Sequence, residues 1–271
     1  MKLMISVTLV FGASVATLGW TVRHGEKAAA RNVVAEKSSA AAVLVELFTS
    51  EGCSSCPPAD ALLAKFDAER TVGGADVIVL EEHVDYWDRL GWKDPFSSPQ
   101  WTARQQEYSN VFHNDGIYTP QMIVDGTAEF VGSREGQARR AIQAASERPK
   151  AEIQLEPAAL SPGRYELKIS VRMIPPVPAP QDAVVWLAVT ESGLHSNVSA
   201  GENAGESLHH AAIVRRLQSV GVVKRSADPA FAGACAIRLN SEWKRENVRF
   251  VVFLQDKKDL RVVGAASVRP Q

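Results

Sequence analysis

Cysteine is scarce in this chain, three residues in 271, and neither sign of charge is in excess: 30 lysines and arginines face 31 aspartates and glutamates, for a net charge of −1. Three cysteines are too few to staple a disulfide-rich miniprotein. Balanced charge leaves no electrostatic footprint for DNA or RNA and no polybasic membrane surface, so nucleic acid is not an expected partner. No internal repeat is found, and beyond residue 22 no long charge-free apolar run occurs. What is present, 45% hydrophobic and 23% charged residues, is enough for one large domain or two ordinary ones, each with its own core.

From Leu3 to Val22 no residue is charged; Lys2 precedes the stretch and Arg23, Glu26, Lys27 and Ala28-Ala29-Ala30 follow it. Residues 1–30 therefore read as an export signal with a small-residue cleavage site near Ala30. An uncleaved anchor to the inner membrane, made by residues 3–22, is the competing reading, because about 20 apolar residues also suffice to span a bilayer. Gly12, Ser14, Thr17, Gly19 and Thr21 make the run only moderately hydrophobic and favour the signal. Residues 31–40 read as a linker. In either case the remainder is expected in an oxidising space, periplasmic or secreted, where disulfides persist.

Val43 to Phe48 is a short apolar run, as expected of a buried central strand, and it leads directly into Cys53-Ser54-Ser55-Cys56. Pro57 and Pro58 then open a helix through about Phe66. Val77 to Leu80 is a second buried strand, so the unit is βαβ with a parallel pair. Residues 83–117 form an insertion with a helix from Ser98 to about Val111. After it, Tyr118–Val124 and Thr127–Val131 flank Asp125-Gly126, a hairpin signal, and a last helix runs from about Arg134 to Ala145 with Ser133 as its expected N-cap. Beyond Pro149 the texture changes. Seven short strands are expected near 151–155, 165–173, 184–190, 213–217, 234–239, 248–254 and 262–266, with a solvated proline-rich loop at 175–180. The expected architecture is an α/β domain over 41–149 with a helical insertion, followed by a mostly-β, sandwich-like domain over 150–271.

A thiolate is stabilised at a helix N-terminus, where the helix dipole is positive and backbone N–H groups lack partners. Cys53 is accordingly the expected nucleophile and Cys56 the resolving thiol. A structural zinc would need a second cysteine pair or a histidine pair, and c-type haem attachment would need histidine at Pro57. A static structural disulfide stays open. Glu46, on the strand before the pair, is a candidate proton acceptor for the resolving cysteine, or a buried charge paired with a cation. Thr119 and Pro120, at the start of the hairpin, are candidates for holding an extended substrate peptide by strand pairing.

The strings Glu46–Asp60, His83–Asp88, Gly91–Phe96 and Tyr118–Met122, with Gly201–Gly205 and Val214-Arg215-Arg216, resemble a secreted bacterial family of unknown function, domain-of-unknown-function family 1223, over about residues 41–268. The order of strand, Cys-x-x-Cys, helix, strand, Thr-Pro, hairpin and helix resembles the thioredoxin fold. That resemblance implies a thioredoxin-like 41–149, a cis bond before Pro120 and Cys53 as nucleophile. It implies no activity, and the Ser54-Ser55 spacer departs from the Gly-Pro and Pro-His pairs of well-known relatives.

His83 and Asp85, after the second strand, are expected to approach the cysteine face together, as a polar support or, for His83 with Cys53 and Cys56, as a soft-metal site. Trp87, Trp92 and Trp101 line the insertion as a hydrophobic rim or as its own small core. His209-His210 and Glu202-Asn203 read as structural, and Cys235 as a small buried hydrophobe. The leading expectation is a periplasmic thiol–disulfide oxidoreductase-like protein acting on protein thiols and disulfides, recycled by a redox partner and needing no cofactor. The alternative is a thioredoxin-fold binding protein, for copper, another soft metal or a protein partner, without redox turnover.

Overall fold

The computed structural model describes residues 42–174, 182–223 and 229–270. The expected signal or anchor, the linker and the proline-rich loop lie outside the described residues. Among the described residues, no helix is long and apolar enough to cross a membrane.

Strand β1 (Val43–Thr49) leads to helix α1 (Pro57–Glu69), the short β2 (Thr71–Val72) and β3 (Ala75–His83). β1 and β3 are parallel, from Val43 opposite Val77 to Thr49 opposite His83, as the βαβ reading requires. Helix α2 (Pro99–Phe112) starts at Ser98, whose side chain accepts from the Gln100 N–H. β4 (Gln121–Val124) and β5 (Ala128–Val131) form the hairpin, and both turn residues have positive φ, 47° at Asp125 and 62° at Gly126. Glycine is required at the second of these, because a Cβ there would lie 2.1 Å from the Leu260 carbonyl oxygen. Helix α3 (Glu135–Ser146) begins after Arg134, and no side chain caps it, so Ser133 does not serve as the N-cap.

The second half is β6 (Glu152–Ser161), β7 (Arg164–Arg172), β8 (Ala183–Glu191), β9 (Leu194–Asn197), β10 (Ser207–His210), β11 (Ile213–Val222), β12 (Phe231–Arg238), β13 (Val248–Asp256) and β14 (Val262–Val268). All seven expected strands are there, and the β9–β10 hairpin is additional. β6, β7 and β12 make a three-stranded sheet whose apolar face packs on β8, β13 and β14, a two-layer core built around Tyr165, Leu167, Leu187, Phe250 and Val252.

The expected boundary at residue 149 does not separate two sheets. One nine-stranded sheet runs β14-β13-β8-β11-β3-β1-β4-β5, with β2 attached to β3, and the described residues form one compact unit. The join is the parallel pairing of β11 with β3 at Ile213 opposite Glu81, reinforced by the Glu81 N–H donating to the Ala212 carbonyl at 3.0 Å. The change in texture at 149 reflects a change from helix-covered to sheet-covered strands: residues beyond it build a core of their own between the two sheets, while the large sheet runs on through both halves. Helix α2 lies across the join: Trp101 and Tyr108 share a core with Leu44, Phe48 and Leu80 from one half and Val214, Val251 and Phe253 from the other. The fold is mixed α/β, with one large, mostly-β sheet and few helices.

Side chains alternate across a strand. Val43, Val45, Leu47, Val77 and Val79 face α1 and α3, whereas Leu44, Phe48, Ile78 and Leu80 face α2. This parity decides what surrounds the cysteines.

Candidate functional site

β1 ends at Thr49, and the chain turns twice, with the Cys53 N–H on the Ser50 carbonyl and the Cys56 N–H on the Cys53 carbonyl, before α1 begins. Cys53 and Cys56 form a disulfide, with Cα atoms 5.4 Å apart, and both residues are fully buried. Pro57 and Pro58 carry no N–H, and the Ala59 and Asp60 N–H groups donate to the Cys56 carbonyl. What α1 offers a thiolate is therefore its dipole rather than free donors. The Ser55 hydroxyl is 3.4 Å from the Cys53 sulfur, so the unusual spacer places a polar group on the expected nucleophile.

The second half of the chain covers this turn. The Glu202 carboxylate accepts from the Ser54 N–H (3.0 Å) and hydroxyl (2.7 Å), and these hydrogen bonds hold its carboxyl below the usual range. The buried Asn203 amide donates to the carbonyls of Glu51 (2.8 Å) and Cys53 (3.0 Å). Residues 201–205 thus form a strap over the cysteine turn. Gly201 lies against Trp92, whose indole N–H donates to Glu51.

Beside the turn, on the α1 face of the sheet, lies a buried polar cluster drawn from four segments. His83, at the end of β3, has Nδ1 on Asp94 at 2.7 Å and Nε2 on Glu81 at 3.3 Å. His210, at the end of β10, has Nδ1 on the same Glu81 oxygen at 2.7 Å and Nε2 on Glu51 at 3.0 Å. The two rings meet edge to face at 4.7 Å. Asp60, in the first turn of α1, accepts from the Thr49 hydroxyl at 2.6 Å. Burial, then the neighbouring Glu81, raises the Asp60 carboxyl to about 7 against the opposing pull of His210. Burial alone would lower both imidazoles. Asp94 and Glu81 outweigh it at His83, which is held well above the usual histidine range, and Glu81 and Glu51 raise His210 to about 9. Burial likewise works to raise Glu81, but His210 overcomes it and its carboxyl falls below the usual range.

Glu46 is not behind the cysteines. It shares the parity of Leu44 and Phe48 and points to the α2 face, where Arg104 Nε donates to it at 2.7 Å and the Tyr108 hydroxyl also bonds it. The buried carboxyl that α1 places near the pair is Asp60, one turn beyond Cys56, whose carbonyl accepts from the Asp60 N–H. Asp85 does not join His83: β3 ends at His83, and the Asp85 carboxylate instead accepts from Thr102 on α2. The grouping of His83 with the two sulfurs is replaced by one with carboxylates, since both its ring nitrogens are engaged by Asp94 and Glu81.

The Thr119–Pro120 bond is cis, and Gln121 pairs with Phe48, which sets Pro120 beside the end of β1. A Cβ on Gly132 would meet Leu47, Ala59 and Pro120 within 3.4 Å, so that glycine lets Pro120 approach the first turn of α1. Trp87 connects the two loops: its indole N–H donates to the Thr119 hydroxyl at 2.8 Å and its Cβ lies against Gly52. Trp101 is core. His210, Glu202 and Asn203, which read as structural, belong to the site, whereas His209 faces away and pairs with His195. Cys235 is half-buried on β12 and not within the core.

A profile of the family described as "Protein of unknown function (DUF1223)" matches residues 44–255. The chain belongs to this family. DUF1223 thus spans both halves of the sheet, and its match includes the cysteine turn, the strap and both histidines of the cluster. A comparison with curated proteins returns no match. Among solved structures, a structural-genomics protein from Agrobacterium tumefaciens is similar at 26% identity and a TM-score of 0.64, covering 84% of this chain and 94% of that one. HBP35 of Porphyromonas gingivalis is similar at 15% identity and a TM-score of 0.60, covering 86% and 76%. At that identity the second likeness concerns the fold alone.

Proposed function

We propose that this DUF1223 protein is an exported thiol–disulfide exchange protein whose residues 43–146 are a thioredoxin-like unit with α2 as its helical insertion. The observation that carries this reading is the Cys53–Cys56 disulfide closed at the start of α1, whose first turn also carries Asp60, a buried carboxyl raised to about 7. A structural disulfide has no need of a poised proton donor, whereas exchange chemistry uses one. The Leu3–Val22 segment and the disulfide support export to an oxidising compartment, with the segment cleaved as a signal or kept as an anchor.

In the proposed cycle a substrate thiolate attacks the Cys53 sulfur, a new S–S bond forms, and the Cys53–Cys56 bond breaks. Cys56 leaves as thiolate and takes a proton delivered from Asp60. The substrate's second thiol, giving up its proton to Asp60, then attacks the substrate sulfur of the mixed disulfide and releases Cys53 as thiolate, facing the Ser55 hydroxyl and taking a proton from solvent. The substrate leaves oxidised by two electrons and the protein leaves as a dithiol; the reverse sequence reduces a substrate. Thr119 and Pro120 hold the substrate strand. Because both cysteines are covered, attack requires the strap at 201–205 to lift.

The same burial favours a second reading, a binding protein of this fold with a disulfide that does not turn over. Substituting Cys53→Ser separates the two. Exchange with a small-molecule disulfide and a fluorescent dithiol peptide is expected in the native protein and absent in the variant; equal rates in both overturn the proposal.

A further inference from the structure

The polar cluster beneath the cysteine turn has a donor arrangement that the exchange chemistry does not use. Glu81 Oε1, one nitrogen of His83 and one of His210 lie within 4.8 Å of one another, all buried. The Glu81 oxygen is 3.3 Å from His83 Nε2 and 2.7 Å from His210 Nδ1. Two imidazoles and one carboxylate are a donor set that zinc accepts readily, and ligand atoms about 2.0–2.2 Å from a tetrahedral ion stand roughly 3.4 Å from each other. The contacts to Glu81 need to change by less than an ångström to reach that spacing.

The far nitrogen of each ring matters as much. His83 Nδ1 is bound by Asp94 and His210 Nε2 by Glu51. An imidazole that turns one nitrogen to a metal and gives the other N–H to a carboxylate is oriented and made a better ligand by that carboxylate. Here both histidines are backed in this way, from two different segments.

We propose that Glu81, His83 and His210 form a divalent-cation site suited to zinc, separate from the two thiols. At present each ring meets a carboxylate at both nitrogens, which requires both nitrogens to carry protons. Binding therefore exchanges one divalent ion for the protons on His83 Nε2 and His210 Nδ1: two positive charges enter, two protons leave, and the net charge of the buried cluster is unchanged. Uncompensated buried charge is the main obstacle to a closed site, and the exchange removes it. Nothing is oxidised or reduced. The site joins the halves of the sheet, since Glu81 and His83 come from β3 and His210 from β10, so a bound ion crosslinks them.

The test is titration of the purified, disulfide-intact protein with Co²⁺ and Zn²⁺ in weak buffer, following visible absorption and proton release. One equivalent of Co²⁺ is expected, with nitrogen- and oxygen-ligand d–d bands, no sulfur-to-cobalt charge-transfer band, about two protons released, and displacement by Zn²⁺. His83→Gln and His210→Gln are expected to weaken binding at least tenfold, and the Cys53→Ser/Cys56→Ser double variant to leave it unchanged. Absence of saturable uptake, a sulfur charge-transfer band, or loss of binding in the cysteine double variant overturns the proposal. If the histidine variants do not fold, the proton count and cobalt spectrum of the native protein still decide: uptake without proton release overturns it. The readout does not depend on disulfide turnover, so it stands or falls apart from the exchange reaction.

Discussion

The two faces of the central sheet carry similar buried charges and use them differently. On the α2 face, Glu46 and Glu82 share Arg104, and Tyr108 and Gln255 complete the set; the guanidinium stays charged, and burial together with Glu46 raises the Glu82 carboxyl well above its usual range in spite of Arg104. On the α1 face, the counter-charges to Glu51, Glu81 and Asp94 are histidines, and Asp60 titrates near neutrality. A fixed cation makes a permanent brace. Titratable cations make a site whose charge changes with protons or ions, and it is this face that adjoins the disulfide.

The comparison breaks most visibly at Arg104. Arg104→Met leaves the Glu46 and Glu82 carboxyls buried without their cation, and the expected loss is about 3–5 kcal/mol in urea denaturation, with the reduction potential of the cysteines unmoved. A loss under about 1 kcal/mol would show that this face is not a brace.

Acidity and alkalinity separate the faces next. His210 is raised from 6.5 to about 9 on folding, so its contribution is fully present below pH 6.5 and lost as the pH rises through 9. Asp60, raised from 3.8 to about 7, has lost its contribution by then. His210 alone is therefore expected to lower the unfolding free energy by about 3 kcal/mol between pH 6.5 and 9, His83, also held above its usual range, to deepen the fall as the pH rises above 6.5, and His210→Gln to make the fall shallower by its own share. Stability that rises over this window would contradict the assignment.

Much of this was legible in the sequence, and the exceptions have a common cause. All seven strands after residue 149 follow from their apolar alternation, and the disulfide, α1, α2 and the Asp125-Gly126 hairpin follow from local spacing. The site was half legible. Cys53, Cys56 and His83 are read from a strand end and a helix start, but Asn203, Glu202 and His210 reach the turn from about 150 residues away, through a β9–β10 hairpin and the Glu81–Ile213 join that no local pattern encodes. Glu46 is the instructive case. Strand parity alone puts it with Leu44 and Phe48, on the face opposite Val43, Val45 and Leu47, where α1 packs.

A smaller effect sharpens that contrast between Asp60 and Glu46. Asp60→Asn is expected to slow disulfide exchange at least tenfold near pH 7 and to remove an inflection near 7 from its pH profile, whereas Glu46→Gln changes stability but not that profile. Stopped-flow exchange rates across pH 5–9 check both, and equal profiles for the two variants would remove Asp60 from the reaction. Smallest is the strap. Asn203→Ala deletes two hydrogen bonds to the turn at a cost of about 1–2 kcal/mol and is expected to speed exchange severalfold by uncovering the sulfurs; slower exchange would show that the strap assists rather than covers.

The most direct test of a working disulfide is the reduction potential of the Cys53–Cys56 pair, measured against glutathione and dithiothreitol buffers by thiol alkylation. A value between about −120 and −270 mV, the range of exchange catalysts, is the expected result. A value below about −300 mV would mean a structural crosslink and contradict the proposed exchange function.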